Sequence, residues 1–101
     1  MHPSLARQLV KTRAAEADLI GIWTYSFSTW NEAQADRYLG ALEHGIARLT
    51  EDPTSGSPRD ELREGYWSKR LERHVVFYTF TDSALRVCRV LHAAMDMDRH
   101  L

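Results

Sequence analysis

A single cysteine, Cys88, stands in the middle of an apolar run, so an internal disulfide or a cysteine-based metal framework is excluded. A lone cysteine in such a run behaves as a small hydrophobe, and core packing is its expected role. Lysine is almost missing: Lys11 and Lys69 stand against eleven arginines. Charge of one sign is missing too. A formal net charge of -1 gives no global basic field to draw the chain onto nucleic acid, and no direct DNA binding is expected. No stretch approaches the roughly 20 apolar residues of a membrane-crossing helix. The first twenty residues also lack the apolar segment of a secretory leader, so the expected location is the cytoplasm, without membrane contact. No His/Cys/Asp/Glu spacing suggests a metal site, and no cofactor motif is present.

What is present is ordinary globular material, with 44% hydrophobic and 27% charged residues. A chain of 101 residues is expected to form one domain over 1–101. Residues 5–11 alternate loosely and read as a first strand. Thr12 stands where a helix N-cap belongs, and Glu16 and Asp18 follow at the positive end of the helix dipole. Leu19, Ile22, Trp23, Phe27 and Trp30 then recur at helical spacing. Asn31 is expected to end that helix in the left-handed conformation. A second helix, residues 32–50, carries Ala35, Tyr38, Leu39, Leu42, Ile46 and Leu49 on one face, and the pair should form an antiparallel hairpin.

Two of the three prolines and a glycine fall between residues 51 and 63, which reads as loop rather than helix or strand. Strands are expected at 66–71, 74–80 and 84–92, joined by tight turns. The fold class is therefore α+β: an N-terminal strand, a two-helix hairpin, and a three-stranded antiparallel meander. The helices should pack on one sheet face and leave the other partly open. Leu19, Ile22, Trp23, Leu39, Leu42, Ile46, Val75, Phe77 and Val87 are the expected core.

Basic and titratable residues gather on the last strands: Lys69, Arg70, Arg73, His74, Arg89 and His92, with Tyr78. Such a cluster can receive phosphate, and Arg73, Arg89 and His92 would be its catalytic members in a ribonuclease. Glu64, Glu72, Asp96 and Asp98 lie in the same stretches and oppose that reading, because RNA binding draws on positive charge. His92 reads first as a strand-end histidine held by a neighbouring carbonyl or by Asp96, ahead of an acid–base role. Trp67 is either an exposed anchor or a seal on the sheet. The tail, residues 89–101, mixes two histidines, two methionines and alternating charge. It reads either as an adaptable protein-contact surface through Met95, Asp96 and His100, or as closure of the sheet.

Several ordered segments resemble the ParE toxins of the RelE/ParE superfamily. They are Ala14 to Leu19 followed by Ile22-Trp23-Thr24-Tyr25, then Trp30 to Tyr38, then Leu49, Pro53 and Gly56. Arg73-His74-Val75-Val76-Phe77-Tyr78 and Arg89-Val90-Leu91-His92-Ala93-Ala94-Met95-Asp96 complete the set. The resemblance implies a type II toxin that inhibits DNA gyrase by binding rather than by catalysis, neutralised by a ParD-type antitoxin. The antitoxin would sit on the helical hairpin and a sheet edge. Target contacts would come from Trp67, Arg70, Arg73, His74, Arg89, His92, Met95, Asp96 and His100. A RelE-like, ribosome-dependent messenger RNA endonuclease and a non-toxic antitoxin-binding module are the alternatives.

Overall fold

A computed structural model describes residues 7–94. Strand β1 (Gln8–Lys11) leads into helix α1 (Arg13–Thr29) and helix α2 (Glu32–Leu49). A 3-10 turn at Pro53–Ser55 precedes β2 (Ser57–Pro58), β3 (Trp67–Leu71), β4 (His74–Phe80) and β5 (Ala84–His92). Thr12 caps α1 as its sequence position demands, accepting from the Ala15 N–H at 3.0 Å.

Asn31 does something other than end α1. Its backbone is extended, near φ -173°, and its side chain accepts from the Gln34 N–H at 2.8 Å, so it starts α2. The two roles share the same residue type, and the immediate restart of the helix decided between them.

The sheet has five strands in the order β1-β5-β4-β3-β2. The meander is present, but β1 closes it by running parallel to β5, with Gln8 opposite Ala84 and Lys11 opposite Val87. The loop segment also contributes more than expected, since Ser57 and Pro58 form a short edge strand against Ser68 and Trp67. Proline is tolerated there because an edge strand has no second neighbour to bond.

Both helices cover one sheet face. Ala15, Leu19, Ile22, Leu42, Ile46 and Leu49 pack against Val76, Tyr78, Leu85, Val87 and Val90. An irregularity at Phe77/Tyr78 pairs Phe77 with Arg89 but Tyr78 with Val87, leaving Cys88 as the extra residue. That bulge shifts the alternation by one, so Val87 and Val90 both meet the helices although they stand three apart.

Three expectations about burial change, at Val75, Trp23 and Leu39, while Phe77 is buried as expected. Val75 and Phe77 alternate onto the face away from the helices, where Val75 is only half-buried. That face is not open throughout: Ser68, Phe77 and Leu91 are buried on it, and Arg59 from the β2–β3 connection donates to Ser68 Oγ at 2.9 Å. Trp23 is half-buried, stacked on Phe27 with ring centroids 5.2 Å apart, its Nε1–H donating to Asp36 at 2.9 Å. Leu39 is likewise at the margin of the core. An uninterrupted apolar run such as His74-Val75-Val76-Phe77-Tyr78 carries no alternation from which a face could be chosen.

Candidate functional site

Helix α1, the start of α2 and the β3–β4 and β5 ends enclose a cleft of about 730 Å³. Ile22 lies in its floor, and Tyr25 and Trp30 stand in its wall at 70% and 64% exposure. The polar end is built by Tyr38, Arg73, His74, Arg89 and His92.

Asp18 organises one side of this end. Its carboxylate is forked by Arg89, Nε to Oδ2 at 2.7 Å and Nη2 to Oδ1 at 2.9 Å. The Val90 N–H, a backbone donor beside the bulge, also donates to Asp18 Oδ2 at 2.9 Å. A bidentate arginine–carboxylate pair with a third donor is a strong, geometrically fixed joint between α1 and β5. The Arg89 charge is thereby balanced within the protein.

Tyr38 organises the other side. The Arg73 N–H donates to Tyr38 Oη at 2.9 Å, and the same oxygen lies 2.8 Å from His74 Nδ1. The phenol oxygen has room for both bonds, so Tyr38 and His74 share a hydrogen bond whose donor is set by the imidazole tautomer. At His92 the direction is fixed, for its Nδ1 accepts from the Ala94 N–H at 3.1 Å. The two rings meet edge to face across β4 and β5, with centroids 5.3 Å apart.

Burial, reinforced by His92 and opposed by Asp18, pulls the His74 pKa down to about 4. The imidazole is neutral at pH 7 and has to be protonated against its surroundings. Between pH 6.5 and 4 the unfolded chain therefore binds more protons than the folded one, and stability falls as pH falls through that window. This group contributes no slope above it. After discounting for partial exposure, the loss from pH 7 to 4.5 should be roughly 1–2 kcal/mol. Urea midpoints across this range should flatten in His74→Gln relative to the parent; an unchanged slope would show that His74 does not carry the effect.

The model of the family described as "ParE toxin of type II toxin-antitoxin system, parDE" matches residues 9–97. The chain belongs to the ParE toxin family. It is 40% identical to Toxin ParE1 of Mycobacterium tuberculosis over 87% of this chain and 91% of that protein. It is also 40% identical to Toxin ParE1 of Caulobacter vibrioides, over 89% and 93% respectively. The toxin fold is shared with the chromosomal ParDE system from P. aeruginosa, with a TM-score of 0.75 at 19% identity over 88% of this chain and 98% of that one.

On this ParE frame the expected site residues separate. Arg73, His74, Arg89 and His92 come together in the cleft. Trp67 does not: it is half-buried, set edge to face against Phe80 with centroids 5.4 Å apart, and seals the sheet. Arg70 is exposed on β3 with its Nε donating to the Glu72 carbonyl at 3.1 Å. Lys69 is bonded to the Ser55 carbonyl at 3.2 Å. Tyr78 is fully buried and donates to the Pro53 carbonyl at 2.5 Å, with burial pushing its pKa up to about 12. Met95, Asp96 and His100 lie outside the described residues.

Asp18, Tyr25, Trp30 and Tyr38 were not expected in the site. Asp18 carried a usable signal: it is a carboxylate one turn from Ala15 and Ile22, on the apolar side of α1. An acid there needs an internal partner. Tyr38 gave none, since its ring fits the apolar stripe and nothing in the sequence sets its hydroxyl against Arg73 and His74.

Proposed function

We propose that this toxin arrests growth by binding DNA gyrase and is held inactive by a ParD-type antitoxin. The observation that carries the reading is the character of the cleft. Exposed aromatic rings beside internally balanced charges suit a protein contact better than a reacting phosphate. Arg89 is forked by Asp18 and His92 Nδ1 is engaged by the Ala94 N–H, so two of the three residues considered for RelE-type roles are already held within the fold. The balanced overall charge also favours a protein target over RNA. Target contacts are assigned to Arg73, His74, Arg89 and His92 with Arg70 at the margin, and to Met95, Asp96 and His100 on the strength of the family resemblance.

A different surface suits the antitoxin. Ile20 and Phe27 are 68% and 48% exposed on α1 beside Trp23, and a shallow groove of about 490 Å³ there also touches Leu39. Edge strand β2 covers only Trp67 and Ser68 of β3, leaving Lys69 to Leu71 without a partner strand from β2. Helix-in-groove docking and strand addition are both accommodated.

Induced expression of this chain with and without its neighbouring reading frame, followed by pulse-labelling, tests the proposal. Arrested DNA synthesis with a DNA-damage response, relieved by the neighbour, is the expected result. Immediate loss of translation would place the chain with the ribonucleases. Undisturbed growth would mark an inert antitoxin-binding module.

A further inference from the structure

The turn between β3 and β4 is held against its own preference. Leu71 pairs with His74 across a two-residue loop, and the first loop residue, Glu72, stands at φ +57°. Glycine takes that conformation freely and leads at this loop position; a residue with a side chain keeps it only where its surroundings enforce it. Three hydrogen bonds grip the loop from outside. Arg70 Nε donates to the Glu72 carbonyl at 3.1 Å, and the Ala93 N–H donates to the Arg73 carbonyl at 3.0 Å. The third runs from the Arg73 N–H to Tyr38 Oη at 2.9 Å. Of the three, only Tyr38 comes from a helix, and its ring is packed against the core, which fixes the hydroxyl in space. The same oxygen lies 2.8 Å from His74 Nδ1, a bond that stands in either imidazole tautomer. Arg73 and His74 thus take their places from one atom on α2, and Arg73 hands that placement on to Ala93, the first residue past β5.

We infer that Tyr38 is a positioning residue of the target-contacting surface: its hydroxyl holds the Glu72–Arg73 turn in the conformation that presents Arg73 and His74 and that anchors the chain at Ala93. The inference rests on the toxin reading, because the surface it concerns is the one assigned there to the target. Tyr38 acts through its neighbours. Packing alone would be served as well by phenylalanine, so the hydroxyl is what the turn requires. A strained turn at a contact surface, enforced by a side chain from another element, is pre-organised before the partner arrives.

Tyr38→Phe removes one oxygen and leaves the ring. In the purified full chain, amide hydrogen exchange at Arg73 and Ala93 should quicken roughly five-fold, the loss of about one hydrogen bond, while Val76 in the sheet centre keeps its rate. Growth arrest by Tyr38→Phe should require several-fold more toxin, with binding to the product of the neighbouring reading frame unchanged. Ile46→Val, a buried substitution on the same helix, is the control for plain destabilisation and should arrest growth as the parent does. Adding Glu72→Gly to Tyr38→Phe supplies a residue that prefers the turn unaided. The double variant should regain slow exchange at Ala93 and most of the growth arrest, while Arg73, still without its acceptor, stays fast. Unchanged Ala93 exchange in Tyr38→Phe would overturn the inference, as would undiminished growth arrest or an equal loss in Ile46→Val. If Glu72→Gly restores nothing, Tyr38 touches the target itself and the positioning role is lost. Any of these failures with intact, antitoxin-relieved arrest by the parent leaves the toxin reading standing. A parent that does not arrest growth sinks that reading, and Ala93 exchange in the single and double variants then decides whether Tyr38 holds the turn.

Discussion

Gly56→Ala is expected to destabilise the protein by roughly 2–5 kcal/mol, combining overpacking with loss of a buried hydrogen bond. A methyl at this position would lie within 3.0 Å of both the Ser68 carbonyl oxygen and the Tyr78 hydroxyl. Neither neighbour can retreat. The Ser68 carbonyl belongs to β3, and the Tyr78 hydroxyl is bonded to Pro53 in the middle of the core. The requirement at Gly56 is therefore space, since its φ of -86° is open to any residue. Gly65→Ala is the informative control, because Gly65 has a φ of +81° and open space around it. It should cost only about 1–2 kcal/mol for the left-handed backbone. Equal denaturation midpoints for the two variants would show that the close approach at Gly56 is relieved cheaply.

Leu42→Ala should cost about 2–5 kcal/mol, the range for removing a buried leucine from a core that cannot collapse around the gap. Leu42 has no exposed surface and belongs to the cluster that joins α2 to the helix-facing side of the sheet. Leu39→Ala, one turn away at the core margin, should cost distinctly less. The pair measures how steeply burial falls across α2, and a reversed order would mean that the helix is rotated.

The helical half was the easier to read. Leu19, Ile22, Leu42, Ile46 and Leu49 repeat at helical spacing and all reach the core, because a period of three to four residues survives a few exceptions. The sheet was harder for two physical reasons. Strand β4 is apolar along its length, so its face assignment is invisible, and the bulge at Cys88 moves the phase of β5 where no glycine announces it. The parallel pairing of β1 was hidden because nothing in four residues specifies a partner so distant in sequence. The site was half legible. The arginines and histidines of β4 and β5 drew attention by type, but their states depend on Asp18 and Tyr38. A sequence displays the cations; the partners that neutralise or orient them become visible only when the helices are laid against the strands.

The pairing of β1 with β5 also governs when this protein comes into being. Thr12 bonds to the Cys88 carbonyl across 76 positions of chain, and each rung of the β1–β5 ladder spans the same interval. A ribosome making the chain exposes β1 and both helices long before β5, so the early product is a helical hairpin with its apolar side uncovered. Closing so long a loop is slow and is rewarded only once the final strand arrives. The cleft shares that schedule, since Asp18 and Tyr38 are synthesised first and their partners Arg89 and His74 later. A half-made chain thus lacks the cleft, and its uncovered hairpin is the first apolar surface to leave the ribosome.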